Sequence, residues 1–165
     1  MKRLVKVICY VAASVIIAGC NKPYEKTGDE SLIKRTIPFT PEKYICLYAR
    51  NPLRIDGIPD DTEWKRASWS SDFVDIEGSL KPLPPLRTRM KMLWDDDFLY
   101  VAADMEEPHV WATLRQRDTV IFYDNDFEIF IDPDGDTHLY YEFEINAFGT
   151  FWDLLLPKPY RDGGP

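Results

Sequence analysis

Histidine is almost missing from this 165-residue chain: His109 and His138 are its two imidazoles, too few for a histidine-rich metal site. No G-x-S-x-G, H-E-x-x-H or P-loop pattern occurs, so the commonest signatures of serine hydrolases, zinc proteases and nucleotide hydrolases are absent. Basic residues number 20 against 28 acidic ones, and they form no cluster. A formal net charge of -8 argues against nucleic acid, whose phosphates need a basic face. Long apolar runs are lacking too. The stretch "VICYVAASVII" falls short of the roughly 20 residues that a membrane-spanning helix needs. No internal repeat is visible.

What is present suits one ordinary domain. The hydrophobic share is 45%, enough to build a core, and the aromatic share of 14% suits β structure or a surface that stacks on flat ligands.

The first residues have the form of an export signal: "MKRLVK" is a positive start, "VICYVAASVII" a short apolar centre, and residues 1–19 are the expected signal peptide. "IAGC" resembles the lipobox of bacterial lipoproteins, with Ile17 where leucine is commoner. That resemblance implies cleavage before Cys20, a diacylglycerol thioether on its sulfur, and a chain exported and anchored to a bacterial membrane. Cys9 then leaves with the signal and Cys20 carries lipid. Cys46 alone remains, so an internal disulfide is impossible, and it is expected to be a buried structural thiol. Residues 20–43 are polar and mixed in charge, an anchor and tether ahead of a domain spanning residues 44–165.

Along that domain, short apolar runs alternate with turn residues, the pattern of an all-β antiparallel sandwich of the jelly-roll or immunoglobulin-like kind. In "RIDGIPDDTEW", Asp56-Gly57 makes a turn, Asp60 and Glu63 have capping-box spacing, and Trp64 points into the core. "SLKPLPPL" is a loop, because its three prolines cannot sit in a central strand. "RTRMKMLW" puts Arg87, Arg89 and Lys91 on one face and Met90, Met92 and Trp94 on the other, with Trp94 assigned to the core. After the turn "DDD", "FLYVAADM" returns as the second arm of a hairpin. "EEPHVWATLRQRD" fits either a loop or a short helix. Further strands surround "DPDGD" and follow Phe148-Gly149. A sandwich ending at Pro165 would lack strands over its second sheet, so a longer parent protein is expected.

The chemistry-bearing residues lie in "DNDFEIFIDPDGDTHLYYEFEINAFGTFWDLLL". Alternation places Glu142, Glu144 and Asn146 on one strand face, and a neighbouring strand can add Glu128. Like charges opposite one another across a sheet are destabilising, so something should compensate. Three answers are open: solvent, pairing with Arg87, Arg89 or Lys91, or a polyhydroxylated ligand held by carboxylate and amide groups beside an aromatic plate. Phe122, Tyr123, Tyr140 and Trp152 are near in sequence. A pair of catalytic carboxylates, as in a glycosidase, is a weaker reading because nothing in the sequence separates their pKa values. Asp132, Asp134 and Asp136 occupy the first ligand positions of an EF-hand, but Thr137 stands where glycine is required and Phe143 where glutamate is required. A hairpin turn explains them, with an irregular calcium site as the alternative.

Taken together, "RIDGIPDDTEW", "MLWDDDFLYVAADM", "DNDFEIFIDPDGD" and "YEFEINAFGTFWD" resemble the family 9 carbohydrate-binding modules and their relatives in bacterial lipoproteins, over roughly Leu53 to Asp153. The resemblance implies a non-catalytic β-sandwich that binds poly- or oligosaccharide beside polysaccharide-degrading enzymes. It also implies structural calcium. In that family a tryptophan stacks on the sugar just before the "E-I-F" strand; Phe122 and Tyr123 hold that place. Glu128 matches a glutamate that hydrogen-bonds sugar hydroxyls. Glu144 stands where the family has arginine, and Asn146 matches its asparagine. The expected carbohydrate contacts are therefore Phe122, Tyr123, Glu128, Glu142, Glu144 and Asn146. The rival expectations are a sandwich that docks a protein partner in a surface complex and, more remotely, a glycoside hydrolase component.

Overall fold

The computed structural model describes residues 4–12, as a backbone strand, and residues 42–164. Cys20 and the tether up to residue 41 lie outside the described residues. The chain forms two sheets, built from β1 (Leu4–Ala12), β2 (Leu47–Tyr48), β3 (Thr88–Trp94), β4 (Phe98–Glu106), β5 (Asp126–Ile131), β6 (Tyr140–Asn146) and β7 (Phe151–Leu156). The first sheet has the order β1-β4-β3-β2 and the second β5-β6-β7. All pairings are antiparallel except the short parallel contact of β2 with β3. The expected all-β sandwich is therefore the architecture found. Among the described residues no helix is long and apolar enough to cross a membrane.

The β3–β4 hairpin is the centre of the molecule, and its alternation feeds two cores. Met90, Met92, Val101 and Ala103 meet Phe127, Ile129 and Ile145 of the second sheet. On the opposite face Leu93, Tyr100 and Ala102 pack under Trp64, Ala49 and Ala67. Trp64 is fully buried, as its sequence context requires. Burying such a side chain contributes roughly 1.5–3 kcal/mol. Arg89 and Lys91 share this second face as expected. Arg89 donates twice to Asp104 Oδ2, at 2.8 and 3.1 Å, and lies over the Trp69 ring. Lys91, 5% exposed, donates to the Trp64 carbonyl and sits near the faces of Trp64 and Trp69.

Several local expectations give way to longer-range partners. Trp94 is not in the core: it is 44% exposed, edge-on to Tyr48, because the strand runs past the cover of the second sheet. Asp60 and Glu63 form no capping box. The 3-10 turn Glu63–Lys65 starts at Thr62 without a side-chain cap. Asp60 and Asp61 bind Arg54 instead, while buried Glu63 collects Asn51, the Arg50 amide and Arg66. Residues 107–120 form a loop with no helix. Cys46 is half-buried, and burial raises its thiol pKa. The segment expected to be an export signal lies along the outer edge of β4, from Leu4 opposite Glu106 to Ala12 opposite Phe98.

Candidate functional site

The outer face of the second sheet is set by strand register. Glu128 pairs with Glu144, which pairs with Trp152; Phe130 pairs with Glu142, which pairs with Leu154; Asp126 pairs with Asn146. With a side-chain period of two, all of these project to one side. The other side presents Phe127, Ile129 and Ile145 to the β3–β4 hairpin. Register thus gathers Glu128, Glu142, Glu144 and Asn146 onto one face, as alternation implies.

A 3-10 turn, Ile121–Tyr123, lies over this face. Ile121 anchors it by complete burial, leaving Phe122 and Tyr123 outward at 53% and 74% exposure. Between the turn and the sheet runs an open groove of about 560 Å³. Its floor is Phe130 and Leu154, its polar groups are Glu128 and Glu142, and its aromatic walls are Phe122, Tyr123, Trp152 and Tyr160. The Phe122 and Trp152 rings are 6.3 Å apart and inclined by 35°, and Phe122 meets Tyr123 edge-on at 5.1 Å. Tyr160 donates its hydroxyl to Glu142 Oε2 at 2.7 Å, fixing that carboxylate at the groove wall.

The six expected contact residues divide into two groups. Phe122, Tyr123 and Glu128 line the groove, and Glu142 joins its wall although only 4% of it is exposed. Glu144 is 1% exposed and lies beneath the turn, where its Oε2 accepts the Phe122 amide at 3.1 Å. Asn146 is 3% exposed and its hydrogen-bonding capacity is spent inside the protein. Its amide donates to the Leu114 carbonyl and Asp124 Oδ2, and its oxygen accepts the amides of Phe148 and Thr150. An Asn side chain has two donors and two acceptor positions, so none is left over. Both residues build the platform rather than line the groove.

Asp124 is the other half of that platform. It also accepts the Thr113 hydroxyl and the backbone amides of Thr113 and Leu114. Burial alone would raise its pKa; the hydrogen bonds outweigh this and hold it down at about 2. Asp124 and Tyr160 carry much of the site, yet sequence reasoning does not single them out, and it names Trp152 only as one of four nearby aromatics. Trp152 was discoverable: in "TFWDLLL" the alternation of Trp152 with Leu154 and Leu156 marks one face. Tyr160 sits in "PKPYRDGGP", which carries no periodic signal.

The electrostatics of this face are one-sided. Asp126, Glu128 and Glu144 bring carboxylate oxygens within 4.8 Å of one another. No ion pair among the described residues reaches Asp126, Glu128, Glu142 or Glu144; Arg87 and Arg89 pair instead with Asp104 and Glu106 on the other sheet. Burial, followed by the Asp126, Glu128 and Glu142 charges, pushes Glu144 up to about 7. Burial and then the Glu128 charge push Asp126 up to about 6, and its Oδ2 is buried with no hydrogen-bond partner. Glu128 is raised by burial and by Glu142.

Calcium takes six to eight oxygen ligands. Asp126, Glu128 and Glu144 could supply part of such a shell, with backbone carbonyls or waters for the rest. The Asp132, Asp134 and Asp136 group sits on an outward turn where Asp132 accepts the Gly135 and Thr137 amides and Asp136 the His138 amide. Both groups are ones that could hold a metal ion. Glu144 is not placed to serve as the acid of a hydrolytic pair. Glu144, with the raised pKa a general acid requires, is sealed under Phe122 and committed to its amide.

Comparison with known proteins agrees with this geometry. No curated protein and no solved structure matches the chain. The family described as carbohydrate family 9 binding domain-like matches residues 55–153, which include the β3–β4 hairpin, both acidic strands and the first residues of β7. A match over more than half of the sequence, on a β-sandwich with an aromatic groove, places the chain in the carbohydrate family 9 binding domain-like family.

Proposed function

We propose that the protein binds carbohydrate without transforming it, in the groove between the Ile121–Tyr123 turn and the second sheet. The observation that carries this reading is the Phe122–Trp152 pair, 6.3 Å apart, beside the carboxylates of Glu128 and Glu142. Sugar rings present C–H faces that pack on aromatic plates and hydroxyls that donate to fixed carboxylates. A largely apolar concavity with a few placed polar groups is the usual form of a small-ligand site. Membership of the family supports the same class of ligand. The proposed contacts are Phe122, Tyr123 and Trp152 as plates and Glu128 and Glu142 as acceptors, with Glu144 and Asn146 supporting them from below.

The chain is further proposed to act outside the cytoplasm, held at a membrane through lipid on Cys20 and working beside polysaccharide-degrading enzymes. The positive start, short apolar centre and "IAGC" support export and anchoring. No part of the binding reading requires a metal.

A second reading, docking of a protein partner, draws on exposed apolar side chains of another segment. Phe73, Val74, Ile76, Leu80 and Leu83 are 42 to 101% exposed. Titration of the purified chain with a panel of oligosaccharides, followed by tryptophan fluorescence, separates the two. A saturable change supports the groove reading. Silence across the panel from a folded protein favours docking, and release of shorter products reveals a hydrolase.

A further inference from the structure

We propose that the groove selects saccharides carrying free amino groups, such as de-N-acetylated hexosamine units, over neutral sugars and against uronic acids. This rests on the carbohydrate reading above and gives it a substrate class.

The groove has a charge of one sign. Among the described residues, Glu128 and Glu142 are the only side chains with a formal charge that line it, and no lysine or arginine does. Behind them stand Asp126 and Glu144, the former with a buried oxygen that has no donor. The two arginines of the 107–120 loop are engaged elsewhere. Arg117 pairs with Asp118 and, on the reverse face of β7, with Asp153, and it lies over Phe151. Arg115 lies over Phe148. These four carboxylates, with no lysine or arginine paired to them among the described residues, repel one another when ionised; Glu144 and Asp126 relieve this by holding their protons, and a positively charged ligand at Glu128 and Glu142 relieves it too.

An ammonium group supplies what this surface lacks. It has three N–H donors and no acceptor, whereas ionised carboxylates only accept. Its hydrogen bonds to Glu128 and Glu142 would be charge-assisted. Phe122 and Trp152 add ring faces that attract a cation. A sugar hydroxyl can fill the same positions but leaves the net charge unchanged. A uronate brings a fifth carboxylate into the same cluster.

The test is calorimetric titration of the purified full chain, in chelator and at low salt, just below the amine pKa. The ligands are chitosan oligosaccharides, their N-acetylated counterparts, cello-oligosaccharides and oligogalacturonides of equal length. The expected result is at least about tenfold tighter binding of the deacetylated series, a difference of about 1.4 kcal/mol, with no uronide binding. Glu128→Gln and Glu142→Gln should each narrow that ratio, and circular dichroism would check that they fold. Equal binding of neutral and deacetylated sugars, or any preference for the uronides, overturns the charge selection and leaves carbohydrate binding standing. A deacetylated preference untouched by both variants also overturns it, since general surface attraction would then be its source. Binding of no oligosaccharide overturns both readings.

Discussion

Asn146 donates its side-chain amide to Asp124 Oδ2 at 2.9 Å, joining the last residue of β6 to the end of the turn that overhangs the groove. Through this bond the 113–114 loop, the aromatic turn and the sheet become one unit. Asn146→Ala would leave the Leu114 carbonyl, the Asp124 carboxylate and two backbone amides short of partners. The expected loss is about 2–4 kcal/mol in chemical denaturation. Sugar affinity should fall as well, through a misplaced Phe122. An unchanged denaturation midpoint would show that water replaces the amide and that the platform is held by other means.

Two sets of carboxylates give this fold an uncommon pH dependence. Glu144 and Asp126 have folded pKa values raised to about 7 and about 6, from 4.5 and 3.8. Their protonated forms suit the fold, so this stability is complete below the unfolded values and is lost as pH rises through the folded ones. Asp124 has the opposite sign. Its contribution is present above 3.8 and disappears as pH falls through about 2. Thermal stability should peak at about pH 4–5 and decline towards pH 7–8. Because the carboxylates interact, the upper transition belongs to the cluster as a whole. A melting temperature that rises steadily from pH 5 to about 8 would contradict this.

Glu144→Gln isolates that effect. The glutamine oxygen can still accept the Phe122 amide, while the buried charge and its repulsion of Asp126 and Glu128 are gone. The variant should be more stable than the parent above neutral pH, by on the order of 1–2 kcal/mol, and about equal to it near pH 4. Parallel melting curves over pH would measure the difference. A destabilised variant at high pH would mean that the ionised carboxylate is compensated by a cation.

Arg89 has the reverse role on the other sheet. It donates twice to Asp104, which is 3% exposed, while lying over Trp69. Removing it leaves this buried carboxylate with only the longer 3.7 Å contact to Arg87, and breaking a buried pair typically costs up to roughly 3–5 kcal/mol. Arg89→Ala should therefore lower the denaturation midpoint sharply, whereas Arg89→Ala with Asp104→Ala should recover part of the loss. No recovery in the double variant would place the cost in the lost stacking on Trp69.

Trp152 is the residue whose loss should separate binding from folding. It is half-buried at the groove wall, stacked near Phe122 and outside both hydrophobic cores. Trp152→Ala should abolish measurable oligosaccharide affinity, because stacking area is removed along with one wall. The stability cost should stay at the low end of the roughly 3–5 kcal/mol seen for aromatic truncation in a core. Retained affinity would move the sugar site away from this groove.

Strand alternation made much of this structure legible in advance. A period of two in "FEIFI" and "YEFEIN" suffices to put Glu128, Glu142 and Glu144 on one face and Phe127, Ile129 and Ile145 on the other. The Arg89–Lys91 face and the burial of Trp64 follow from equally local patterns. What stayed hidden depends on partners distant in sequence. Glu144 is sealed because the Phe122 amide, 22 residues away, comes down on it. Asn146 is saturated because Leu114, Asp124, Phe148 and Thr150 converge there. The Asp60–Glu63 spacing was outweighed by Arg54, and Trp94 depended on where the cover of the second sheet ends. Period reports a side chain's direction but not what lies above it.

The nine-residue pairing of Leu4–Ala12 with β4 has a consequence for the export proposed above. A leader peptide must be threaded through a translocase unfolded, and zipping it onto a hairpin beforehand would hold the precursor back. Under the export proposal, completion of this seam and translocation would compete in time, and a slow-folding β3–β4 unit would favour passage. If the proposed cleavage before Cys20 takes place, it removes this seam and leaves a row of unpaired backbone amides and carbonyls along Phe98–Glu106. Such a selvage invites a substitute strand or a twin molecule.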